Sequence, residues 1–367
     1  MNIGRLQPIH IYILIIIATG FMVHVLLMPS LLNSAGRDAW LSVLVSLFTM
    51  LIIVTVITMI IRTLNGKDLA SFLKDHYPAP VAWAILTCFI IVFFAESLIS
   101  LKFSVDWAKS NYAADAPELI IASGFILLCF YAAYKGSFVL GLIAVILFPI
   151  VCSFGILVGV GNMKSKNYDL LFPMFADGYT PMFEGIMYTN SGFLEMIYIL
   201  FLLSYTKKKL TFKGLFLSGL VIFILILGPL TGSLSAFGIA ESLKLNTPAY
   251  EQWRLLSLGR YITRLDFLSI FQWFSGLLVR VALFTTLLNQ LLPFKKKKIS
   301  LVIIYIILFI LIILPLSHRS FVELMHNVYF PFTFYFLSSA LLLLSILVWI
   351  KKGGDTHQKS QRRARSN

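Results

Sequence analysis

The stretch IHIYILIIIATGFMVHVLL, from Ile9 to Leu27, is apolar and long enough to cross a membrane, but Thr19-Gly20 interrupts it near the middle. A second stretch, GIMYTNSGFLEMIYILFLLSY from Gly185 to Tyr205, carries the turn-forming residues Asn190-Ser191-Gly192 at a matching place. An unwound turn leaves backbone N–H and C=O groups that lipid cannot satisfy, so it must face a polar cavity or a ligand. Interrupted helices in matching positions of two halves indicate a transporter-type binding site.

The composition indicates an integral membrane protein, because 59% of the 367 residues are hydrophobic and only 13% are charged. A membrane-spanning helix needs a run of roughly 20 apolar residues, and about ten such runs occur in the chain. The fold class predicted is therefore an all-α integral membrane protein with about ten transmembrane helices. The predicted spans are Ile9–Leu31, Trp40–Ile61, Val81–Leu101, Glu118–Tyr134, Phe138–Gly161, Gly185–Tyr205, Leu215–Phe237, Phe267–Leu292, Ile299–Leu316 and Phe330–Ile350.

The predicted spans fall into two equal groups. Five lie in residues 1–161 and five in residues 185–350, and an odd number of crossings in each half reverses the second half relative to the first. The sequence thus predicts a 5+5 inverted repeat with broken helices 1 and 6. Residues 162–184 are the linker segment, predicted to lie over the outer face, and residues 351–367 form a basic cytoplasmic tail.

The net charge of +14 follows the pattern of membrane topology. Lysine and arginine concentrate in short connections, such as the runs Lys207–Lys209 and Lys295–Lys298 and the C-terminal tail, as they do on the cytoplasmic side of membranes. We expect both termini in the cytoplasm, no nucleic-acid partner, and a disordered tail, because the tail has almost no apolar residues.

No catalytic, metal or cofactor motif is found. The three cysteines fall within apolar spans without metal-ligand spacing, and the six histidines are scattered. We find no phosphate-binding glycine loop, nucleophile elbow or carboxylate pair within one loop. The sequence therefore predicts that the protein is not an enzyme and holds no metal or cofactor.

Polar residues within two of the first-half spans are candidates for a binding site, since a charge in hydrocarbon needs a partner or a cavity. Thr19, Gly20 and His24 lie close together on the first span, and Gly20 and His24 share a helical face that can line a cavity. Alternatively, His24 bonds a neighbouring helix. Glu96 lies well inside the third span. It is either a functional carboxylate or part of a structural salt bridge to Lys102 or to another helix.

The sixth span combines turn-forming residues with a carboxylate. Glu195 follows Ser191 by four residues and shares its face. If the helix restarts near Gly192, its free N–H groups can hold a ligand carboxylate, with Glu195 close to a substrate ammonium or carrying a proton. In the alternative interpretation, Asn190, Ser191 and Gly192 form a helix contact and Glu195 pairs with Arg280.

The eighth span carries a weakly polar stripe and a buried charge. Gln272 and Ser275 are three residues apart, and Arg280 lies near the middle of the apolar run, where it must face protein or water. Arg280 can pair with Glu195 or Glu96, or can meet a substrate carboxylate directly.

The block LLSLGRYITRLDFLSIFQWFSG, residues 255–276, closely resembles the spore germination permease family, the B subunits of GerA-type nutrient germinant receptors. The Leu291-Leu292-Pro293 motif, the chain length and the long aromatic segment before the eighth span agree with this family. The resemblance implies a distant, LeuT-like relative of the amino acid–polyamine–organocation transporters, in the inner membrane of the endospore. It also implies an A subunit and a lipoprotein C subunit as partners, with the B subunit as nutrient sensor.

In that superfamily the site lies among helices 1, 3, 6 and 8. The resemblance maps the unwound turns to Thr19-Gly20 and Asn190-Ser191-Gly192, with Gln272 and Ser275 lining the eighth helix. The first break reads ATGFMVH rather than the usual glycine-rich sequence. Two functions follow as hypotheses: a nutrient-sensing receptor subunit that binds an amino acid or similar small nutrient, or a proton-coupled amino acid transporter in which Glu195 or Glu96 titrates.

Overall fold

The structure, a computed structural model, describes residues 5–206, 208–257, 259, 261–262 and 264–366. Within these ranges the chain is almost entirely helical and forms no β-strand, only isolated bridges such as the one between Leu6 and Thr206. The predicted all-α fold class is therefore correct.

Residues 5–161, the described part of the first half, contain seven α-helices. They are α1 (Pro8–Phe21), continued by a π-helical turn (Met22–Leu26) into α2 (Leu27–Ala35), then α3 (Ala39–Leu64), α4 (Leu69–His76), α5 (Ala79–Asn111), α6 (Glu118–Lys135) and α7 (Ser137–Gly161). Short 3₁₀ turns at Met163–Ser165 and Tyr168–Leu171 follow in the linker segment.

The second half begins with α8 (Thr180–Leu194), which tightens into a 3₁₀ helix (Glu195–Phe201). It continues with α9 (Phe212–Ser242), α10 (Pro248–Leu255), α11 (Phe267–Leu291) and α12 (Lys297–Ile313). The last elements are α13 (His318–Leu324), a second π-helical turn (Met325–Tyr329) and α14 (Phe330–Ser366).

Seven helical stretches in the described ranges are long and apolar enough to cross a membrane, so the chain is a multi-pass membrane protein. The first, Pro8–Leu64, covers the first two predicted spans, and the others match predicted spans three, four, five, seven, eight and ten. The sixth and ninth predicted spans fall on α8 with its 3₁₀ extension and on α12. The count of about ten crossings stays a prediction.

The expected break at Thr19-Gly20 is wrong. Both residues lie inside α1, and the irregularity comes later, as the π-helical turn Met22–Leu26. At this transition the N–H of Met22 donates to the carbonyl of Thr19, and the Ala18 carbonyl accepts from Arg280 at 2.8 Å. A π-helical turn re-pairs backbone groups without unwinding the chain, so lipid or ligand need not satisfy them.

The expected break at Asn190-Ser191-Gly192 is wrong for a related reason. These residues remain in α8, and the change of geometry begins at Glu195. The Ser191 hydroxyl donates to the Tyr188 carbonyl at 2.6 Å, and the Asn190 side chain accepts from Thr49 on α3 at 2.5 Å. Because these polar side chains find partners in their own helix or in α3, their turn propensity does not open the helix.

The C-terminal tail also differs from expectation. The sequence predicts disorder from residue 351 onward, whereas α14 continues to Ser366. Lysine, arginine and glutamine, which make up eight of residues 351–367, are good helix formers and extend a helix that is already nucleated.

Helix α11 lies at the centre of the fold. It packs against α1, α5, α6 and α7, while α3 packs against α8 and α9 on another side. This arrangement brings the polar residues of the first, third, sixth and eighth predicted spans together in the interior.

Candidate functional site

A fully buried ion cluster occupies the interior between α5, the 3₁₀ helix that follows α8, and α11. Arg280 donates to both oxygens of Glu195, from Nη1 at 2.9 Å and from Nη2 at 2.7 Å, and its Nη2 also donates to Glu96. None of the three side chains is more than 1% exposed. Arg280 therefore pairs with both carboxylates, whereas the sequence predicted a pair with either Glu195 or Glu96.

The remaining donors of the guanidinium are also used. Its Nε donates to the Ser100 hydroxyl at 3.0 Å, and Nη1 donates to the Ala18 carbonyl. The guanidinium carbon lies 4.8 Å from the ring centroid of Phe284, within the range of a cation–π contact. Arg280 thus has no vacant donor direction that a ligand carboxylate could take.

Two tyrosines complete the coordination of Glu96. The Tyr198 hydroxyl donates to Oε1 at 3.2 Å, and the Tyr329 hydroxyl donates to Oε2. Tyr198 lies in the 3₁₀ helix and Tyr329 in the second π-helical turn. The cluster consequently joins α1, α5, the end of α8, α11 and the turn before α14.

The charges of the cluster do not balance. Two carboxylates share one guanidinium, so one bound proton would make the cluster neutral, and burial makes an uncompensated charge costly. The predicted alternative pair of Glu96 with Lys102 is wrong, because Lys102 bonds Asp106 at 3.0 Å and Glu118 at 3.1 Å near the end of α5.

In the part of the chain that is described, no group of three or more metal-ligand side chains forms a metal site.

A cavity of about 540 Å³ lies beside the cluster, between α1, α7, α9, α10 and α11. Its wall is mostly apolar and includes Gly20 and His24 from α1 and the following turn, and Gln272 from α11. These three residues were singled out by sequence. Thr19, Asn190, Ser191, Gly192 and Ser275 are absent from the lining.

Two polar side chains of the cavity wall, His24 and Gln272, bond neighbouring helices. His24 Nδ1 lies 3.3 Å from the Leu225 carbonyl on α9, which Pro229 four residues later leaves without its helical N–H partner. Gln272 accepts from Trp253 at 3.2 Å and donates to the Val151 carbonyl at 3.3 Å. His24 therefore satisfies both sequence interpretations, because it lines a cavity and bonds an adjacent helix.

The other candidate residues serve packing. Ser275 donates to the Phe271 carbonyl at 2.7 Å within its own helix, and Thr19 is 1% exposed. Gly192 lies against Val23, where a larger side chain has no room. The structure thus separates the sequence candidates into an ion cluster, a cavity wall and helix contacts.

Sequence reasoning missed three walls of the cavity and one charge at its edge. Helices α7 and α9 contribute mainly apolar residues and glycines, α10 contributes residues such as Gln252 and Trp253, and Lys166 comes from the linker segment. The apolar patterns of α7 and α9 are the same as those of lipid-facing helices, so no residue type marks these two helices as cavity walls. Pro149 in α7 and Pro229 in α9 were available signals, since a proline within a membrane helix frees a carbonyl that needs a partner.

Solved structures share this fold at low sequence identity. The structure of MhsT in complex with L-phenylalanine matches with a TM-score of 0.63 and 14% identity, covering 94% of this chain and 93% of that one. A manganese transporter of Eremococcus coleocola matches with a TM-score of 0.55 and 9% identity, covering 94% and 81%. The fold is therefore that of LeuT-like transporters.

Sequence comparison shows the family. The chain is 30% identical over 345 residues to spore germination protein XB of Bacillus anthracis, covering 93% of this chain and 97% of that protein. It is 21% identical over 342 residues to spore germination protein KB of Bacillus subtilis, covering 87% and 89%. The family model described as spore germination protein, of the spore permease type, matches residues 5–322. The expectation drawn from residues 255–276 is thereby confirmed, and the chain belongs to the spore germination permease family.

Proposed function

We propose that this chain is the nutrient-sensing membrane subunit of a spore germinant receptor, and that a small nutrient of the amino acid class binds in the cavity beside the ion cluster. One observation carries the proposal: the cavity and the cluster share two helices. Helix α1 gives Gly20 to the cavity and the Ala18 carbonyl to Arg280. Helix α11 gives Gln272 to the cavity and Arg280 to the cluster.

Signalling needs a ligand that binds one conformation more tightly than another. A nutrient between α1 and α11 would favour one separation of these helices, and the cluster would carry the change to α5, to the end of α8 and to the turn before α14. The A subunit and the lipoprotein C subunit would receive the change in the inner membrane of the endospore, with both termini of this chain in the cytoplasm. The bound L-phenylalanine in MhsT supports the amino acid class, because that protein has the same fold.

Filling the cavity with a larger side chain should weaken the binding of the nutrient. Gly155 on α7 lines the cavity, and a Cβ there would meet only Gln272 Nε2, at 3.8 Å. Gly155→Leu should therefore fold but occupy part of the ligand volume. We expect the nutrient concentration for half-maximal dipicolinate release from spores to rise at least about tenfold, a loss of about 1.4 kcal/mol.

The matched control is Gly124→Leu on α6. Gly124 is exposed and a Cβ there meets nothing within 4 Å, and it does not line the cavity. We expect spores with Gly124→Leu to germinate like the parent. An identical dose response for the Gly155→Leu and parent spores, at equal protein levels, would refute nutrient binding in this cavity.

The second candidate function is a proton-coupled amino acid transporter, favoured by the two carboxylates that share one guanidinium. Glu96→Gln leaves a balanced pair of Glu195 and Arg280, so the protein should still fold. For a transporter we expect this change to reduce uptake of the active nutrient to background, because the titrating carboxylate is lost. Uptake and dipicolinate release measured in parallel separate the functions: germination that persists without chain-dependent uptake supports the receptor.

A further inference from the structure

The charged lining of the cavity is one-sided. Lys166 contributes a cation, and no aspartate or glutamate occurs among the lining residues that the structure describes. The body of the cavity is formed by aliphatic and aromatic side chains, including Ile16, Ile17, Val221 and Trp273. A ligand that fits this lining has an apolar body and carries negative charge at one end.

Lys166 is held in place by its neighbours. It lies between two 3₁₀ turns of the linker segment, and the N–H of Asn167 donates to the Ser235 carbonyl on α9 at 2.8 Å. Just before it, the side chain of Asn162 donates to the Gln252 carbonyl on α10 at 2.6 Å. The backbone around Lys166 is thereby tied to two elements of the cavity wall.

The ammonium of Lys166 has N–H donors that remain available for a ligand. Its Nζ donates to the Gly159 carbonyl at 3.0 Å, which uses one of three N–H groups. Across the ranges that the structure covers, no carboxylate forms an ion pair with it. Burial lowers the pKa of the Lys166 ammonium, because the group is partly desolvated without a protein anion to compensate.

Among the described lining residues no carboxylate is available to a ligand ammonium as Lys166 is to a carboxylate. His24, Gln272 and Gln252 use their N–H donors on carbonyls of the neighbouring helices or of the wall itself, which leaves a ligand ammonium only their uncharged acceptor atoms. The nearby carboxylates of the ion cluster are engaged by Arg280 and do not reach the lining.

We propose that Lys166 binds a carboxylate of the ligand at the edge of the cavity, and that the site takes apolar monocarboxylates whose amino group contributes little to affinity. The inference rests on the proposed function, since it names the chemistry of the nutrient in that cavity. Amino acids with branched or aromatic side chains belong to this class, as do the corresponding carboxylic acids without nitrogen.

The test uses the full-length protein in nanodiscs and follows the fluorescence of Trp253 and Trp273, which line the cavity. The probes are L-leucine, 4-methylpentanoate, which lacks the amino group, and leucinamide, which lacks the carboxylate. We expect the two carboxylates to bind within about threefold of each other and leucinamide at least about tenfold more weakly.

Lys166→Gln should weaken both carboxylates at least about tenfold and leave leucinamide unchanged. The control is Lys164→Gln, because Lys164 is exposed on the same segment and does not line the cavity. Binding of leucinamide but not of 4-methylpentanoate would overturn the inference, and so would carboxylate binding that Lys166→Gln does not change.

Absence of a response to all three probes would also overturn the inference. The proposed function is judged separately, by the germination of Gly155→Leu spores. If those spores respond less to the nutrient and none of the three probes changes the fluorescence, the receptor function is supported and the contact between Lys166 and a ligand carboxylate is refuted.

Discussion

Replacing Arg280 with glutamine should remove most of the folded protein from the membrane. The change leaves Glu96 and Glu195 buried without a cation, and breaking a buried pair from one side costs about 3–5 kcal/mol. Domains are commonly stable by about 5–15 kcal/mol, so this loss is a large part of the total. The expected effect is the largest of any single substitution considered for this chain.

The measurement is the thermal unfolding of purified protein, followed by tryptophan fluorescence, together with the yield of monodisperse protein in detergent. Arg280→Lys should fall between the parent and Arg280→Gln. Lysine keeps the positive charge but cannot bond both oxygens of Glu195 and the Ala18 carbonyl in one planar fork.

A compensated variant distinguishes lost charge balance from lost packing. Combining Arg280→Met with Glu96→Gln and Glu195→Gln removes all three charges, and neutral replacements of buried ion networks are often tolerated. We expect this triple variant to be clearly more stable than Arg280→Gln alone. If Arg280→Gln unfolded at the same temperature as the parent, the buried cluster would contribute nothing measurable to stability. The proposal that the cluster carries a conformational change between helices would then be refuted.

The members of the ion cluster could be recognised from sequence, but their pairing could not. A glutamate or arginine within a membrane span is conspicuous, because hydrocarbon offers it no partner. Which charges meet depends on how α5, α8 and α11 are rotated and raised relative to each other, and no local pattern encodes that. Tyr329 is a clear case, since it reaches Glu96 across 233 positions of the chain.

The two predicted helix breaks were wrong because turn propensity is a local preference. Threonine, serine and asparagine favour turns when their side chains compete for backbone groups. In α8 the same hydroxyls bond carbonyls of the helix itself, as Thr189 does to Gly185 at 2.9 Å. The preference is thus met without unwinding, and the departures from α geometry appear at Met22 and Glu195 instead.

The cavity was predicted in part. Gly20, His24 and Gln272 were expected at a site and do line the cavity, because polar residues on one face of an apolar helix stand out. Nothing in the sequence marks Lys166 as part of the site, since a lysine in a connection looks the same whether it faces water or a cavity. Only the return of the linker segment over α9 and α10 separates these cases.

Gly185→Leu is the substitution with the second largest expected effect. A Cβ at Gly185 would lie 2.7 Å from the Cβ of Ala35 and 2.8 Å from the Cβ of Ser42. These atoms are fixed to the backbones of α2 and α3 and cannot rotate away, so α8 must move. Overpacking costs about 1–3 kcal/mol and occasionally more, and a leucine exceeds the space by several carbon atoms.

The displacement of α8 should also reach the ion cluster, because Glu195 follows directly at the end of this helix. We therefore expect Gly185→Leu to lower both the unfolding temperature and the nutrient response, with Gly185→Ala intermediate in each. Gly124→Leu tests leucine in an exposed membrane helix with open space, and it should unfold like the parent. Equal unfolding temperatures for the Gly185→Leu and Gly124→Leu proteins would show that α8 can move freely against α2 and α3. A rigid link between the cluster and these helices would then be excluded, since the leucine would have been accommodated without cost.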